Sequence, residues 1–431
     1  RDAKQLVRYR EFTEEMVQLI LEADGSLKAE HGTGRIMAPF VRRQFGDELF
    51  EVMREIKSLI DPKGFLNPGV VLAEEDTDYA TDLKVAETVE EEVDRCVECG
   101  YCEPVCPSKD LTLTPRQRIV LRREIAAAEA NGDTKLAERL RQEYEYYGVD
   151  TCAVDGMCVT RCPVLINTGD LVRRLRAENQ DALGAAGWKF ASKHWGAVDK
   201  VAGKALTVAK MLPFPVVRGA TDIGRKLFGE DMVPAYKKGL SAGGAPRVPH
   251  AEANPDIVFF PACVNAMFGG VDGEGKHDLV NATQAFIRLC ERAGVKYRVP
   301  EGIDQMCCGT PWKSKGYTDG YSIMSDRVLK ALWQATDGGR IPIVCDASSC
   351  TEGLEVMRAK VAAALEHKIT HGLGAGEADY AQLKLIDSVQ FAADTLLPKL
   401  TVSAPLPSLA LHPTCSMIWV CSQHLRRSQT P

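Results

Sequence analysis

The sequence predicts a multidomain protein of α+β and α/β type, on three observations. An amphipathic helix closed by Pro- and Gly-rich turns ends residues 1–72. Two cysteine runs flank a helical hairpin between residues 95 and 180. Beyond residue 255, short apolar runs alternate with helical stretches, and a cysteine follows each run within a few residues. A chain of 431 residues has room for two to four domains, and 45% hydrophobic with 26% charged residues is an ordinary globular balance. A net charge of −6 argues against a nucleic-acid binder. The 15 cysteines fall in tight clusters, including the adjacent pair Cys307-Cys308, which suits metal binding in a reducing compartment better than a disulfide framework.

In residues 1–72, Leu49, Val52, Met53, Ile56, Leu59 and Ile60 share one helical face between Gly46 and Ile60. Asp61-Pro62-Lys63-Gly64 stops that helix, and Asn67-Pro68-Gly69 forms a second turn. Residues 73–94 read as a solvated acidic linker: from Glu74 to Asp94 ten carboxylates face the single Lys84. Residues 95–180 form the cysteine-rich helical unit, whose hairpin runs Arg116–Ala130 and Lys135–Tyr147 with a break at Asn131-Gly132-Asp133. Residues 181–250 form a basic amphipathic connector; from Trp188 to Gly229 eight Lys or Arg face two Asp, interleaved with aromatics. Two readings compete there, helices packed on the rest of the protein and a peripheral contact with an anionic membrane, and packing is favoured. Residues 251–431 form the α/β part, with strands expected at Asp256–Phe260, Ile341–Val344 and Leu409–Leu411 and helices at Leu279–Ala293 and Ile323–Thr336. Cysteines arriving after successive strands suggest one shared site beyond the strand ends. Leu400–Gln423 lacks charge but carries three prolines and is no membrane span; Ile418–Pro431 shows neither strand nor helix pattern.

The chemistry is clearest at Cys96-x2-Cys99-x2-Cys102-x3-Cys106-Pro107. Three thiolates at three-residue steps wrap one iron–sulfur cubane, and the fourth reaches the other cluster of a two-cluster ferredoxin. Structural zinc, which pairs two C-x2-C units, is the weaker alternative. The second run, Cys152-x5-Cys158-x3-Cys162-Pro163, carries Asp155 where its second cysteine would stand. Crossing then gives Cys96, Cys99, Cys102 and Cys162 for one cluster, and Cys152, Cys158 and Cys106 with Asp155 for the other. That second cluster is either [4Fe–4S] with a weak oxygen ligand or [3Fe–4S]. Alternatively, Asp155 faces solvent and a cysteine from elsewhere completes the site.

Cys263, Cys307-Cys308-Gly309, and Cys345 with Cys350 form a further constellation. It resembles the cysteine-rich CCG domain of heterodisulfide-reductase-like proteins and of the iron–sulfur subunit of anaerobic glycerol-3-phosphate dehydrogenase. The resemblance implies a further cluster or metal at this site. The family closes its motif with C-x2-C; the spacing Cys345-x4-Cys350 departs from that and puts Cys345 in doubt as a ligand. A second copy would start at His412-Pro413-Thr414-Cys415, but its own CCG does not follow before Pro431. The chain reads as a slice of a longer protein, or as one whose tail follows a shifted frame. Cys290 and Cys421 are expected to be bystanders.

Glu30-His31-Gly32-Thr33-Gly34 followed by Asp61-Pro62-Lys63-Gly64-Phe65-Leu66-Asn67-Pro68-Gly69 resembles the end of the FAD-linked oxidase C-terminal domain. That family includes D-lactate dehydrogenases and glycolate oxidases. The resemblance implies that Glu30 helps hold a divalent metal gripping the substrate, that His31 lies near flavin and substrate as the catalytic base, and that Asn67 belongs to the cofactor region. It also implies FAD, bound largely by an upstream domain that these residues do not contain. The order of flavin-domain tail, two ferredoxin-type motifs and CCG domain implies oxidation of a D-2-hydroxy acid, foremost D-lactate. Electrons would pass through the clusters to a quinone, a cytochrome or an electron-transfer protein. The expected location is cytoplasmic, at most peripheral on the inner membrane face. The alternatives are a non-catalytic iron–sulfur subunit serving a separate flavoprotein, a zinc-stabilised interaction module, and a heterodisulfide-type reductase.

Overall fold

The computed structural model describes residues 3–28, 32–73, 78–80, 87–229, 233–270, 280–370, 379–403, 408, 410 and 412–418. They form two compact units, Arg1–Glu87 and Thr88–Pro431.

In the first unit, α1 (Ala3–Glu22) and α2 (Val41–Ile60) enclose a small core of Val17, Leu27, Phe40, Tyr79 and Ala80. Gly46, with φ of 78°, breaks α2, so the regular part runs from there to Ile60 as the sequence predicts. The apolar face forms, but Leu49, Val52, Ile56, Leu59 and Ile60 are exposed, because the described residues of this unit supply no layer to cover it. The helix stops at Asp61, whose carboxylate accepts the backbone N–H groups of Phe65 (2.9 Å) and Leu66 (2.7 Å) and pairs with Lys57. These bonds, Lys57 first, hold the Asp61 carboxyl below its ordinary value.

The second unit opens with α3 (Glu91–Asp94). Here the acidic run departs from a solvated linker. Glu90 accepts from Arg122 at 2.8 Å and Arg174 at 2.9 Å, and Glu92 pairs with Arg174 at 3.0 Å. Burial opposes charge on Glu90, but the two guanidiniums win and keep its pKa low. Residues 90–94 are thus a structural clamp, while residues 74–77 and 81–86 lie outside the described ones. The hairpin consists of α4 (Pro115–Ala130), opened by a capping box between Thr114 and Gln117, and α5 (Thr134–Tyr144), capped by Asp133. A single π-turn, Glu145–Asp150, continues α5 into the second cysteine run. Next come α6 (Met157–Arg161) and α7 (Thr168–Glu178).

The connector is helical: α8 (Ala182–Lys193), α9 (Trp195–Met211) and α10 (Phe214–Phe228). The α/β part follows as β1 (Ile257–Phe260), α11 (Cys263–Met267), α12 (Ala282–Arg292), β2 (Tyr297–Arg298), α13 (Thr310–Lys315), α14 (Thr318–Ala335), β3 (Ile343–Cys345), α15 (Ser348–Thr370), β4 (Leu385–Asp387) and α16 (Ser388–Phe391). All strands are parallel, in the order β2-β1-β3-β4, with Phe260 beside Cys345 and Cys345 beside Asp387. Strand direction of travel reverses between β1 and β3, so their carboxyl ends frame the crevice where such sheets bind ligands. The expected strands at 256–260 and 341–344 are β1 and β3. β2 and β4 were not anticipated, being too short to show a pattern. Residues 409 and 411 of the third expected strand, and the tail beyond Ile418, lie outside the described residues. Ile418 itself ends one helical turn, its N–H bonding the Thr414 carbonyl at 3.0 Å.

Three tryptophans join connector to sheet. Trp312 of α13 is fully buried, with Trp188 of α8 and Trp195 of α9 edge-on at 5.9 and 4.9 Å between ring centroids. Its indole N–H donates to the Trp188 carbonyl at 2.8 Å. Among the described residues no helix is long and apolar enough to cross a membrane. Replacing Trp312→Ala should cost about 3–5 kcal/mol in chemical denaturation. It should also expose residues 188–212 to limited proteolysis; a change below about 1 kcal/mol would show that the three rings do not hold the connector down.

Candidate metal centres

The two ferredoxin-type runs share one backbone. Two residues after the first cysteine, Glu98 and Val154 both adopt positive φ (56° and 55°); two further on, Gly100 and Gly156 do the same (81° and 71°). Left-handed residues at alternate positions curl the chain so that successive N–H groups line a concave face, which suits an anionic cluster. Glu98 N–H lies 3.4 Å from Cys96 Sγ. This register places Asp155 opposite Cys99, midway between the left-handed residues, as the spacing predicts. Cys106 and Cys158 are buried, Cys96, Cys102, Cys152 and Cys162 half-buried, and Cys99 exposed. Burial, and then the neighbouring Cys158, push the Cys102 thiol up to about 11, and burial also raises Cys158. Among the described residues no three His, Cys, Asp or Glu converge on a single ion. Cubane ligands stand at separate corners and need not meet that condition.

Asp155 does not face open solvent. One carboxylate oxygen accepts the Met157 N–H at 3.3 Å, and the other is buried with no partner. Cys415, an exposed residue from the far end of the chain, lies near this carboxylate; partial desolvation and then the Asp155 charge raise its thiol pKa. Its neighbour Ser416 bonds Glu352 at 2.6 Å, and Glu352 pairs with Lys313 at 3.0 Å. Cys415 therefore stands between the second ferredoxin-type run and α15.

Three arginines at these centres gave no signal in the sequence. Arg118, almost fully buried, holds the Gly148 carbonyl at 2.7 Å and points a nitrogen at Cys106 Sγ from 3.9 Å. Arg123 grips the Val93 and Cys96 carbonyls at 2.6 and 2.8 Å. Arg176 bonds the carbonyls of Val149 (2.7 Å), Cys152 (3.0 Å) and, in the α/β part, Ser314 (2.7 Å). Positive charge and N–H donors beside cluster sulfurs favour the reduced state. Each arginine sits on a helix, α4 or α7, at a position that reads from sequence as ordinary polar surface.

The CCG-type cysteines gather at the β1/β3 crevice. Cys263 Sγ, at the start of α11, is 3.7 Å from Cys307 Sγ. Cys308 exchanges side-chain hydrogen bonds with Cys307 and Cys350 and lies 3.3 Å from Thr310 Oγ1. These bonds converge on Cys308 and hold it low, while Cys307 and Cys350 are held high by the same contacts and by burial. Cys345 lies beneath, fully buried at the end of β3, and burial raises its thiol. Gly309 adopts φ of 77°, and a Cβ there would stand 2.8 Å from the Tyr321 ring. Close packing and backbone sign thus both demand glycine. Cys290 is a core residue of α12; Cys421 lies outside the described residues.

At the N-terminal end, Glu30 and His31 lie outside the described residues. The two halves of the motif do meet: Val71 N–H bonds the Gly34 carbonyl at 3.1 Å, and Asn67, with φ of 42°, closes its turn on Val70 at 3.2 Å.

Comparison with known proteins agrees with these two geometries. Residues 1–71 match the family of FAD linked oxidases, C-terminal domain, and residues 92–166 match the 4Fe-4S dicluster domain. The chain joins a flavin-oxidase domain to a two-cluster iron–sulfur domain. FAD and iron–sulfur clusters are the cofactors of those domains. D-2-hydroxyglutarate dehydrogenase of Haemophilus influenzae is 25% identical over 217 residues, 38% of this chain and 21% of that protein. The corresponding Escherichia coli protein is 24% identical over 226 residues, 40% of this chain and 22% of its own. D-lactate dehydrogenase of Archaeoglobus fulgidus is 39% identical over 64 residues, 15% of this chain and 14% of that protein. The chain thus spans about a fifth or less of the length of these relatives. No solved structure matches it.

The carboxylate in the second run gives a direct test. If Asp155 supplies the weak fourth ligand, air exposure of the reconstituted chain produces a [3Fe–4S] EPR signal that Asp155→Cys suppresses. A signal of equal size in both proteins would show that Asp155 is not the weak ligand.

Proposed function

We propose that the chain is the relay portion, with a corner of the active site, of an enzyme that oxidises a D-2-hydroxy acid to the 2-oxo acid. The observation that carries this reading is the junction of an FAD-linked oxidase domain with a two-cluster iron–sulfur domain on one polypeptide. FAD supplies a centre that accepts two electrons together and releases them singly, which is why one-electron carriers follow it.

In this reading Glu30 helps hold a divalent cation that orients the hydroxy acid, and the His31 imidazole takes the hydroxyl proton. Cys96, Cys99, Cys102 and Cys162 hold one cluster; Cys106, Cys152 and Cys158, with Asp155 or Cys415, hold the other. Cys263, Cys307, Cys308 and Cys350 hold a further metal centre, with Cys345 below it. The arginines Arg118, Arg123 and Arg176 offset negative charge as each centre is reduced. D-lactate and D-2-hydroxyglutarate are both named among relatives, and D-lactate remains our leading candidate on the order of domains. The acceptor is a quinone, a cytochrome or an electron-transfer protein, reached on the inner face of a membrane.

The purified chain should be brown and carry about seven to eight iron atoms in its ferredoxin-type half. A colourless, zinc-loaded chain would overturn the relay. In the longer polypeptide that includes an FAD domain, His31→Ala should lower kcat with a D-2-hydroxy acid about 10²- to 10⁴-fold while dithionite still bleaches the clusters. An unchanged kcat would remove His31 from the reaction.

A further inference from the structure

Cys263 reaches the crevice on α11, which has only five residues. A helix of that length has no stability of its own and takes its place from the contacts around it. Apolar contacts are sparse here: Ala266 is the one buried residue of α11, and Val264 is exposed. The residue before the helix, Ala262, has no side-chain oxygen with which to cap the first turn. The far end is tied to the connector, where the Gly244 N–H bonds the Ala266 carbonyl at 3.0 Å. The near end, which carries the thiol, is tied by one carboxylate.

That carboxylate belongs to Asp346, the residue after Cys345. β1 and β3 are parallel with Phe260 beside Cys345, so the two segments leave the sheet side by side. One Asp346 oxygen accepts the Ala262 N–H at 2.7 Å. The other accepts from the Asn265 side-chain amide at 3.1 Å and from the Thr283 hydroxyl. Asn265 also donates to Thr283 Oγ1 at 3.0 Å, which brings α12 into the same network. All three donors to the carboxylate are neutral. A backbone N–H, an amide and a hydroxyl each fix a direction, so the network orients a segment more than it balances a charge. Ala262 and Asn265 bracket Cys263, and between them its Sγ stands 3.7 Å from Cys307 Sγ.

We propose that Asp346 is a positioning residue, whose carboxylate fixes α11 so that the Cys263 thiol meets Cys307 across the crevice. The inference rests on the reading that these thiols serve one metal centre. Nothing in the sequence around Asp346 signals the role, because its partners come from the ends of two other elements. Removing the carboxylate should displace one thiol and leave the others of the site where they are.

The test uses the whole chain, freed of metal at this site by a chelator and with its fold checked by circular dichroism. Diamide takes two electrons and two protons from a pair of thiols as a disulfide forms between them. Peptide mapping should find Cys263 joined to Cys307 in the wild type. Asp346→Ala should slow formation of that bond about tenfold or more, since a displaced thiol loses effective concentration, while Cys308 joins Cys350 at an unchanged rate. Asp346→Asn keeps an acceptor for the Ala262 N–H and should restore most of the rate. Thr283→Val, at a half-buried position, removes one tie and should slow the bond about threefold; it decides the matter should Asp346→Ala fail to fold. Equal rates in the wild type and the folded variants overturn the proposal, as does absence of the Cys263–Cys307 bond from the wild type. Equal slowing of both pairs also overturns it, since loosened packing alone does that. Iron content after reconstitution tests the metal reading separately. A wild-type chain with no iron beyond its ferredoxin-type half would sink the metal centre at this site and leave the positioning of Cys263 standing.

Discussion

A cysteine sulfur inside a protein is stable as a thiol and costly as a thiolate. Most of this structure is organised around that constraint. Burial pushes Cys102, Cys158 and Cys345 towards the protonated form. A metal centre must displace those protons as it assembles, so cluster insertion and acidity are linked. The protein prepares for the resulting anions with backbone N–H groups curled by left-handed residues at 98, 100, 154 and 156, and with guanidiniums inside the fold. At the CCG-type site the neighbouring thiols and Thr310 crowd Cys308, and these contacts lower its pKa.

The arginines that answer this need are also the framework. Arg123 holds α4 to the chain that carries Cys96, Arg118 anchors the π-turn that leads into Cys152, and Arg174 binds the acidic clamp at 90–92. Each neutralises a carbonyl end or a carboxylate that would otherwise be stranded, so the electrostatics of the clusters and the packing of the helices are served by the same side chains.

Much of this was legible in the sequence, for physical reasons that differ by feature. Cysteine spacing is read directly because a cubane dictates where its ligands stand along the chain, and the shared backbone of the two runs shows Asp155 in the register the spacing implied. β1 and β3 were legible because both their faces are buried and their residues are uniformly apolar. β2, two residues of Tyr and Arg, carries no pattern and exists only because β1 offers an edge. The face of α2 was read correctly as a stripe, yet amphipathicity reports a preference for burial and not the presence of a partner. The acidic run misled because composition averages over neighbours: Glu90 and Glu92 are held by arginines more than 30 and 80 residues away. The meeting of Asp155 with Cys415 lay beyond reading, since 260 residues of chain separate them.

Arg176 lies on α7, yet it takes carbonyls from both the Cys152 segment and Ser314 of α13. Gln180, just past the end of α7, bonds the Gly316 carbonyl as well. The two cysteine-bearing halves are therefore fastened by their own backbones within one unit. Carriers that belong to separate proteins must collide, orient and part before an electron moves, and such traffic slows with dilution and with salt. Here the partners never part. The spacing between the ferredoxin-type and CCG-type cysteines is a constant of the fold, so any electron passage between centres held there would be first order, with a tempo independent of encounter.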